Sequence, residues 1–319
     1  MYIGHCMKYF TIKKDILATL SYFNLFEYPL RRNEIFGFLG HCDDYKEFER
    51  GLLELLEDSM VFKIGDFYSI NNNYRLATRR YKGNEVARIT LKKAARGGSL
   101  ISAFPFVRGV GVSGSLSKLY ADDKSDIDYF IITAANRLWI ARTFLHIFKK
   151  FTFLFNRQND FCMNYFVDEA EPVIIEKNIY TAAEVVTLLP IQGEMIFDRF
   201  FSSNAWTNSF FPNKTIPKTR EWDKGKKWFK FLIEKILNNR AGDALDNLLM
   251  KITIRRWSKK TVPYSTDSRV FMPAMHAGKH FSKQNPALLQ KRILTRYDKS
   301  LTEVFRRYEV SRSYLTGNH

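Results

Sequence analysis

The sequence predicts an α+β chain of several parts, with a mixed-sheet α/β core between a winged-helix-like N-terminal module and an α-helical C-terminal domain. Three patterns carry this expectation. Helix-period apolar spacing opens the chain and gives way at residue 61 to two short strand-like runs around Gly65-Asp66. Continuous apolar runs at 107–112 and 127–132 then suit strands buried on both faces. Beyond Asn178 the spacing becomes helical and stays so for most of the remaining chain. At 319 residues the chain exceeds the roughly 100 to 200 residues of a single domain, so boundaries are expected near 74 and 177.

The N-terminal module is read over residues 1–74. Ile12, Ile16, Leu17, Leu20, Phe23 and Leu25 keep a helical period behind Thr11, a candidate N-cap, and Tyr28-Pro29 ends that helix. A second helix is expected over 31–39, closed by Gly40, and a third over 45–56 with Leu52, Leu53, Leu55 and Leu56 on its inner face. Runs 61–64 and 67–70 form a hairpin. Three helices followed by a hairpin is the layout of a winged helix. DNA readout through the third helix is disfavoured, because Asp43, Asp44, Glu47, Glu49, Glu54, Glu57 and Asp58 on and around it would repel phosphates. A protein contact suits it better.

Residues 74–98 carry Arg75, Arg79, Arg80, Lys82, Arg88, Lys92, Lys93 and Arg96 among Leu76, Val86, Ile89 and Leu91, the mark of one or two basic linking helices. A strand-like run is then read from Leu100-Ile101 to Val112, a second strand at 127–132, a helix at 138–155 and a third strand at 161–167. Helices are expected at 181–189, 193–201, 221–238, 241–257 and 285–310, with a loop at 212–218 and an irregular stretch at 258–282.

Composition limits the function classes. A hydrophobic share of 45% describes a folded globular chain, and no run approaches the about 18 apolar residues of a membrane span. Fifty Lys and Arg against thirty-three Asp and Glu give +17, a field that attracts polyanions or negatively charged membranes. Cys6, Cys42 and Cys162 lie far apart with no Cys-x-x-Cys pair, so a reduced, cytoplasmic setting is expected and neither a disulfide framework nor a zinc ribbon. His5-Cys6 and His41-Cys42 could share one zinc, although such pairs also arise by chance.

The residues with chemical potential are Gly114-Ser115 and Ser125-Asp126-Ile127-Asp128. Two carboxylates one residue apart on a strand share a face, so Asp126 and Asp128 could hold a hard cation such as Mg²⁺ or Mn²⁺ while Ile127 turns to the core. Gly114 would let backbone approach a phosphate closely, and Ser115 would donate a hydroxyl. Asp126 lies twelve residues beyond Gly114, enough for a short helix at 116–120 and a turn at Asp122-Asp123-Lys124. An ordinary turn and a solvated strand start is the plainer alternative.

Gly114-Ser115 followed by Ser125-Asp126-Ile127-Asp128-Tyr129-Phe130-Ile131-Ile132 resembles the signature of the DNA polymerase β-like nucleotidyltransferase superfamily. The resemblance covers about a quarter of the chain. It implies a mixed sheet backed by helices, a nucleoside triphosphate donor, two Mg²⁺ (or Mn²⁺) ions and transfer of a nucleoside monophosphate to an acceptor hydroxyl. By position, Asp126 and Asp128 would bind metal, and Gly114 and Ser115 would hold the β and γ phosphates, with Lys118 close enough to assist. The acceptor could be a nucleic-acid end, a protein side chain or a small molecule. Many members carry a third carboxylate on a later strand, where this chain has Asn164. Either Asp160 or Asp168, at the two ends of that strand, supplies the missing acid, with Asp168 preferred, or the site works with two acids, or catalysis is weakened or lost. A catalytically degenerate core serving as a nucleic-acid- or protein-binding module is the alternative function.

Two further clusters stand out. His276 and His280 have the i, i+4 spacing of a helical metal pair, although Gly278 between them is a poor helix residue. Lys224, Lys226, Lys227, Lys230 and Lys235, interleaved with Trp222, Trp228 and Phe229, could clamp and stack RNA, or could be the wet and packed sides of an amphipathic helix.

Overall fold

The computed structural model describes residues 12–41, 44–122, 125–155, 158–217, 228–259, 261–263, 271–273, 275–284 and 287–316. Thr11, the His5-Cys6 pair, Cys42, the Asp123-Lys124 turn, Trp222, Lys224, Lys226 and Lys227 lie outside the described residues. The chain is a mixed α/β protein with a mixed sheet and a largely helical C-terminal region.

The first part contains α1 (Ile12–Asn24), β1 (Leu30–Arg31), α2 (Arg32–Gly37), α3 (Tyr45–Glu57), β2 (Phe62–Ile64) and β3 (Phe67–Ser69). Its strands form an antiparallel sheet in the order β1-β3-β2. Asp44 caps α3 by accepting from the Lys46 amide at 2.8 Å. The three helices and the β2-β3 hairpin follow the expected order, β1 was not expected, and the core of this part is not closed locally. The final helix, α11 (Ala287–Thr316), sets Ile293, Tyr297, Val304 and Tyr308 among Ile16, Leu17, Leu20 and Phe23. Residues nearly three hundred positions apart thus share one core.

A single helix, α4 (Tyr74–Ser102, 29 residues), connects this part to the sheet. Asn73 caps it through the Arg75 amide at 3.0 Å. Leu100 and Ile101, expected to begin a strand, form its last turn, with Ile101 wholly buried. A helix end that packs as tightly as a strand carries the same continuous apolar run, so periodicity could not separate the two.

The main sheet has six strands in the order β10-β11-β6-β5-β4-β7. They are β4 (Val107–Val112), β5 (Asp128–Thr133), β6 (Cys162–Asp168), β7 (Leu189–Gln192), β10 (Met275–Ala277) and β11 (Phe281–Gln284). Only β5 and β6 are parallel, joined by α6 (Leu138–Phe153) as the crossover helix. A turn of helix, α5 (Gly114–Ser117), follows β4. Alternate residues of β5 enter opposite cores: Tyr129 and Ile131 pack toward α4 and α6, Phe130 and Ile132 toward α7 (Ile179–Val186) and α8 (Glu194–Ser203). Burial on both faces explains why this strand reads as apolar throughout.

Beyond the first part, five strands come from stretches read otherwise. The helix expected to reach residue 189 ends at Val186, and Leu189–Gln192 becomes edge strand β7, where Pro190 is tolerated. The stretch read as irregular supplies the β10-β11 hairpin, which adds to β6, and a two-stranded ladder of β8 (Thr261–Pro263) and β9 (Phe271–Pro273). The remaining helices are α9 (Trp228–Leu237) and α10 (Arg240–Trp257).

Candidate active site

The site forms where β4 ends beside the start of β5. Ser113 donates its amide to the Asp128 carbonyl at 2.9 Å, which holds the following turn against the acidic strand. Gly114 takes φ +71°, and a Cβ there would stand 2.8 Å from Oδ2 of Asp128. Glycine satisfies both the left-handed backbone and the close approach of the carboxylate. Ser115 is exposed at the turn. Lys118 lies at the turn as expected, donating to the Gly114 carbonyl at 3.1 Å and to Glu184 at 2.8 Å.

The segment after the turn is tied from two sides. Tyr28 of the first part donates to the Lys118 carbonyl, and Asn84 of α4 donates to the Leu119 carbonyl at 2.9 Å. The chain returns through Ile127, which is buried between exposed Asp126 and part-buried Asp128, and its amide donates to the Asn159 carbonyl at 3.0 Å. This is the alternation expected for two acids on one side of a strand entry.

Burial pushes the Asp128 carboxyl up to about 6, and the negative charges of Asp126 and Glu184 add to the effect. The β5–β6 register steps from Tyr129 opposite Met163 to Phe130 opposite Tyr165, leaving Asn164 as the extra residue of a bulge. The bulge brings the Asn164 amide onto Oδ1 of Asp128. Asn164 in turn accepts from the Cys162 thiol at 3.1 Å, and Lys149 lies 3.7 Å from that sulfur. Burial pushes the thiol up, against the pull of Lys149.

Behind the turn lies a cavity of about 390 Å³. Gly114, Asp128, Asn164 and Glu184 form its polar wall, and Phe130, Ile174, Val185, Leu188 and Phe200 its apolar one. Glu176 and Lys283 meet at 2.5 Å on the lining. Burial works to raise Glu176, but Lys283 prevails and holds it below its usual range.

Asp168 is not part of this site. Asp128 sits beside Cys162, whereas Asp168 sits beside Thr133, five residues along the ladder and about 17 Å away at roughly 3.3 Å per residue. Asp168 is wholly buried, accepting from the amides of Asn136 and Ala170 at 3.0 Å and Glu171 at 3.2 Å, with His280 Nδ1 at 2.8 Å. It organises the opposite end of the sheet. Asp160 lies in the turn before β6 and does not line the cavity. Besides Asp128, the carboxylates that line it are Glu176 and Glu184, and neither was anticipated from sequence, because only folding brings the chain beyond β6 across from β5.

The histidines do not form a helical pair. His276 is on β10, with Nδ1 3.7 Å from Glu176, while His280 stands in the hairpin turn between Asp168 and Glu171. Among the described residues no three His, Cys, Asp or Glu side chains converge as a metal-ligand group, and no helix is long and apolar enough to cross a membrane. No family model, curated protein or solved structure matches the chain.

Proposed function

We propose that the corner between Gly114 and Asp128 is the active site of a metal-dependent nucleotidyltransferase of the DNA polymerase β-like superfamily. It would transfer a nucleoside monophosphate from an NTP to an acceptor hydroxyl. The contact between the left-handed Gly114 turn and the Asp128 carboxylate carries this reading, because it sets a glycine turn that phosphate could approach closely against a hard oxygen ligand. Two acids whose mutual repulsion helps raise Asp128 fit a divalent cation, and substrate phosphates complete the coordination of Mg²⁺ or Mn²⁺ in such sites. The cation supplies charge neutralisation at the phosphates.

Within this reading Asp126 and Asp128 hold the metal, while Gly114 and Ser115 orient the triphosphate. Lys118 exchanges Glu184 for a phosphate oxygen. The acceptor oxygen bonds to the α-phosphorus, the bond to the bridging oxygen breaks and pyrophosphate leaves. Asn164 cannot take the acceptor's proton, so Glu184 on the cavity wall receives it. A cavity of about 390 Å³ suits one small organic group, either the nucleoside or a small acceptor. A triphosphate donor and the free thiol of Cys162 suit a cytoplasmic setting. The N-terminal elements fit a winged-helix module whose acidic third helix favours a protein contact over DNA.

The bond from Asn164 to Asp128 favours a second reading, in which a degenerate transferase core binds nucleic acid or protein without catalysis. One experiment separates them. The full chain is titrated with each NTP, with and without Mg²⁺ or Mn²⁺, and pyrophosphate release is followed with candidate acceptors, alongside the Asp126→Ala, Asp128→Ala double variant. Metal-dependent nucleotide binding that the double variant loses supports the enzyme. Its absence from the wild type sinks the enzyme reading, and RNA or DNA binding that survives the double variant but falls steeply with salt supports the alternative.

A further inference from the structure

Helix α9 turns Lys230 and Glu234 inward and leaves much of its apolar surface, with Lys235, outward. Lys230 donates to the Ser102 carbonyl at 3.0 Å, and Glu234 holds Arg108 at 2.8 Å and the Phe106 amide at 2.7 Å. Ile233 and Leu237 pack between these contacts onto Phe106, Ile140 and Ala141. The rotation of the helix is thereby fixed, and Trp228, Phe231, Leu232 and Ile236 point outward, Trp228 70% and Phe231 71% exposed. Helix α10 adds exposed Leu248 and Ile252 beside the packed Leu245 and Leu249.

The apolar surface continues along α6. Phe144 packs in the same cluster as Ile233 and Leu249, and the following turns of that side carry exposed Ile147 and Phe151. Leu154 and Phe155, 76% and 75% exposed, extend it. An uncovered surface of this kind marks an interaction site.

Charge selects the partner. Helices α6, α9 and α10 hold three acids, and each is engaged: Glu234 by Arg108, Asp243 by Arg137, and buried Asp246 by the Ile140 amide at 2.9 Å. Among the described residues no acid pairs with Lys150, Lys235, Arg240, Lys251, Arg255 or Arg256 on these helices. A second copy docked through the same face would set cations against cations. A layer of anionic headgroups meets those cations with opposite charge, while aromatic and aliphatic side chains enter the boundary beneath. We propose that the face formed by α6, α9 and α10 docks peripherally on an anionic phospholipid surface, with Trp228, Phe231, Leu154 and Phe155 inserted. This inference does not depend on nucleotidyl transfer.

The test is sedimentation of the full chain with vesicles of phosphatidylcholine alone and of phosphatidylcholine mixed with phosphatidylglycerol, at low and high salt. The expected result is binding to the anionic vesicles, weakened by salt and reduced about tenfold or more both by Trp228→Glu with Phe231→Glu and by Lys235→Glu with Lys251→Glu. Circular dichroism melts of both variants should match wild type, because the altered side chains are exposed. No anionic-vesicle binding, or binding undiminished in both variants, overturns the proposal. So does a concentration-dependent dimer abolished by Phe231→Glu without any vesicle binding, which assigns the face to a second copy.

Discussion

The side-chain amide of Asn164 donates a hydrogen bond to Oδ1 of Asp128, from a bulge that turns it toward the acidic strand. An amide here stabilises the ionised form of Asp128 without adding negative charge. A carboxylate in its place would bring further repulsion to a group already raised by burial and by Asp126 and Glu184.

Asn164→Asp is therefore expected to strengthen Mg²⁺ or Mn²⁺ binding by about tenfold while lowering stability in the absence of metal. Calorimetric titration with the divalent cation reads the first effect and a metal-free thermal melt the second. Unchanged cation affinity in this variant would mean that the bulge does not face a metal site.

The raised Asp128 group has a defined pH signature. Because its pKa is above the ordinary carboxylate value, the folded state binds a proton more tightly than the unfolded chain, and stability from this group grows as pH falls through about 6 and levels off below the ordinary carboxylate value of about 4. Asp128→Asn removes the repulsion and should stabilise the metal-free protein at pH 7 by on the order of 1–2 kcal/mol, with a smaller gain at pH 5. Cation binding should weaken below about pH 6 as the carboxyl takes up a proton. Melting curves at the two pH values check the stability difference.

Asp168 is expected to act on stability alone. Asp168→Ala strips the acceptor from the Asn136, Ala170 and Glu171 amides and from His280, and should cost about 3 kcal/mol or more. Denaturant unfolding measures the loss. Cation binding at Asp126 and Asp128 should persist in the folded fraction, and its selective disappearance would return Asp168 to the active site.

Gly114→Ala combines a left-handed backbone with a Cβ 2.8 Å from Asp128 Oδ2. A loss of about 1–2 kcal/mol in stability is expected, with a larger proportional loss of nucleotide binding. Equal nucleotide affinity in wild type and variant would show that the turn does not carry the phosphates.

Local patterns determined much of this protein. The period of α1, the hairpin at Gly65, the alternation around Ile127 and the two-faced burial of β5 follow from side-chain spacing, and so does the pairing of a glycine turn with two acids. Tertiary structure decided what spacing cannot express. Leu189–Gln192 is too short to declare a period, and β11 is a strand because β6 offers it an open edge. The last helix enters the first core because its tyrosines meet α1 there. Asp168 lies far from Asp128 because β6 runs parallel to β5, so the acid at its C-terminal end is carried to the opposite end of the strands, while Glu184 arrives from helix α7. Residue identity set which groups could do chemistry at Gly114 and Asp128. Strand direction, register and a single bulged residue set which of them meet.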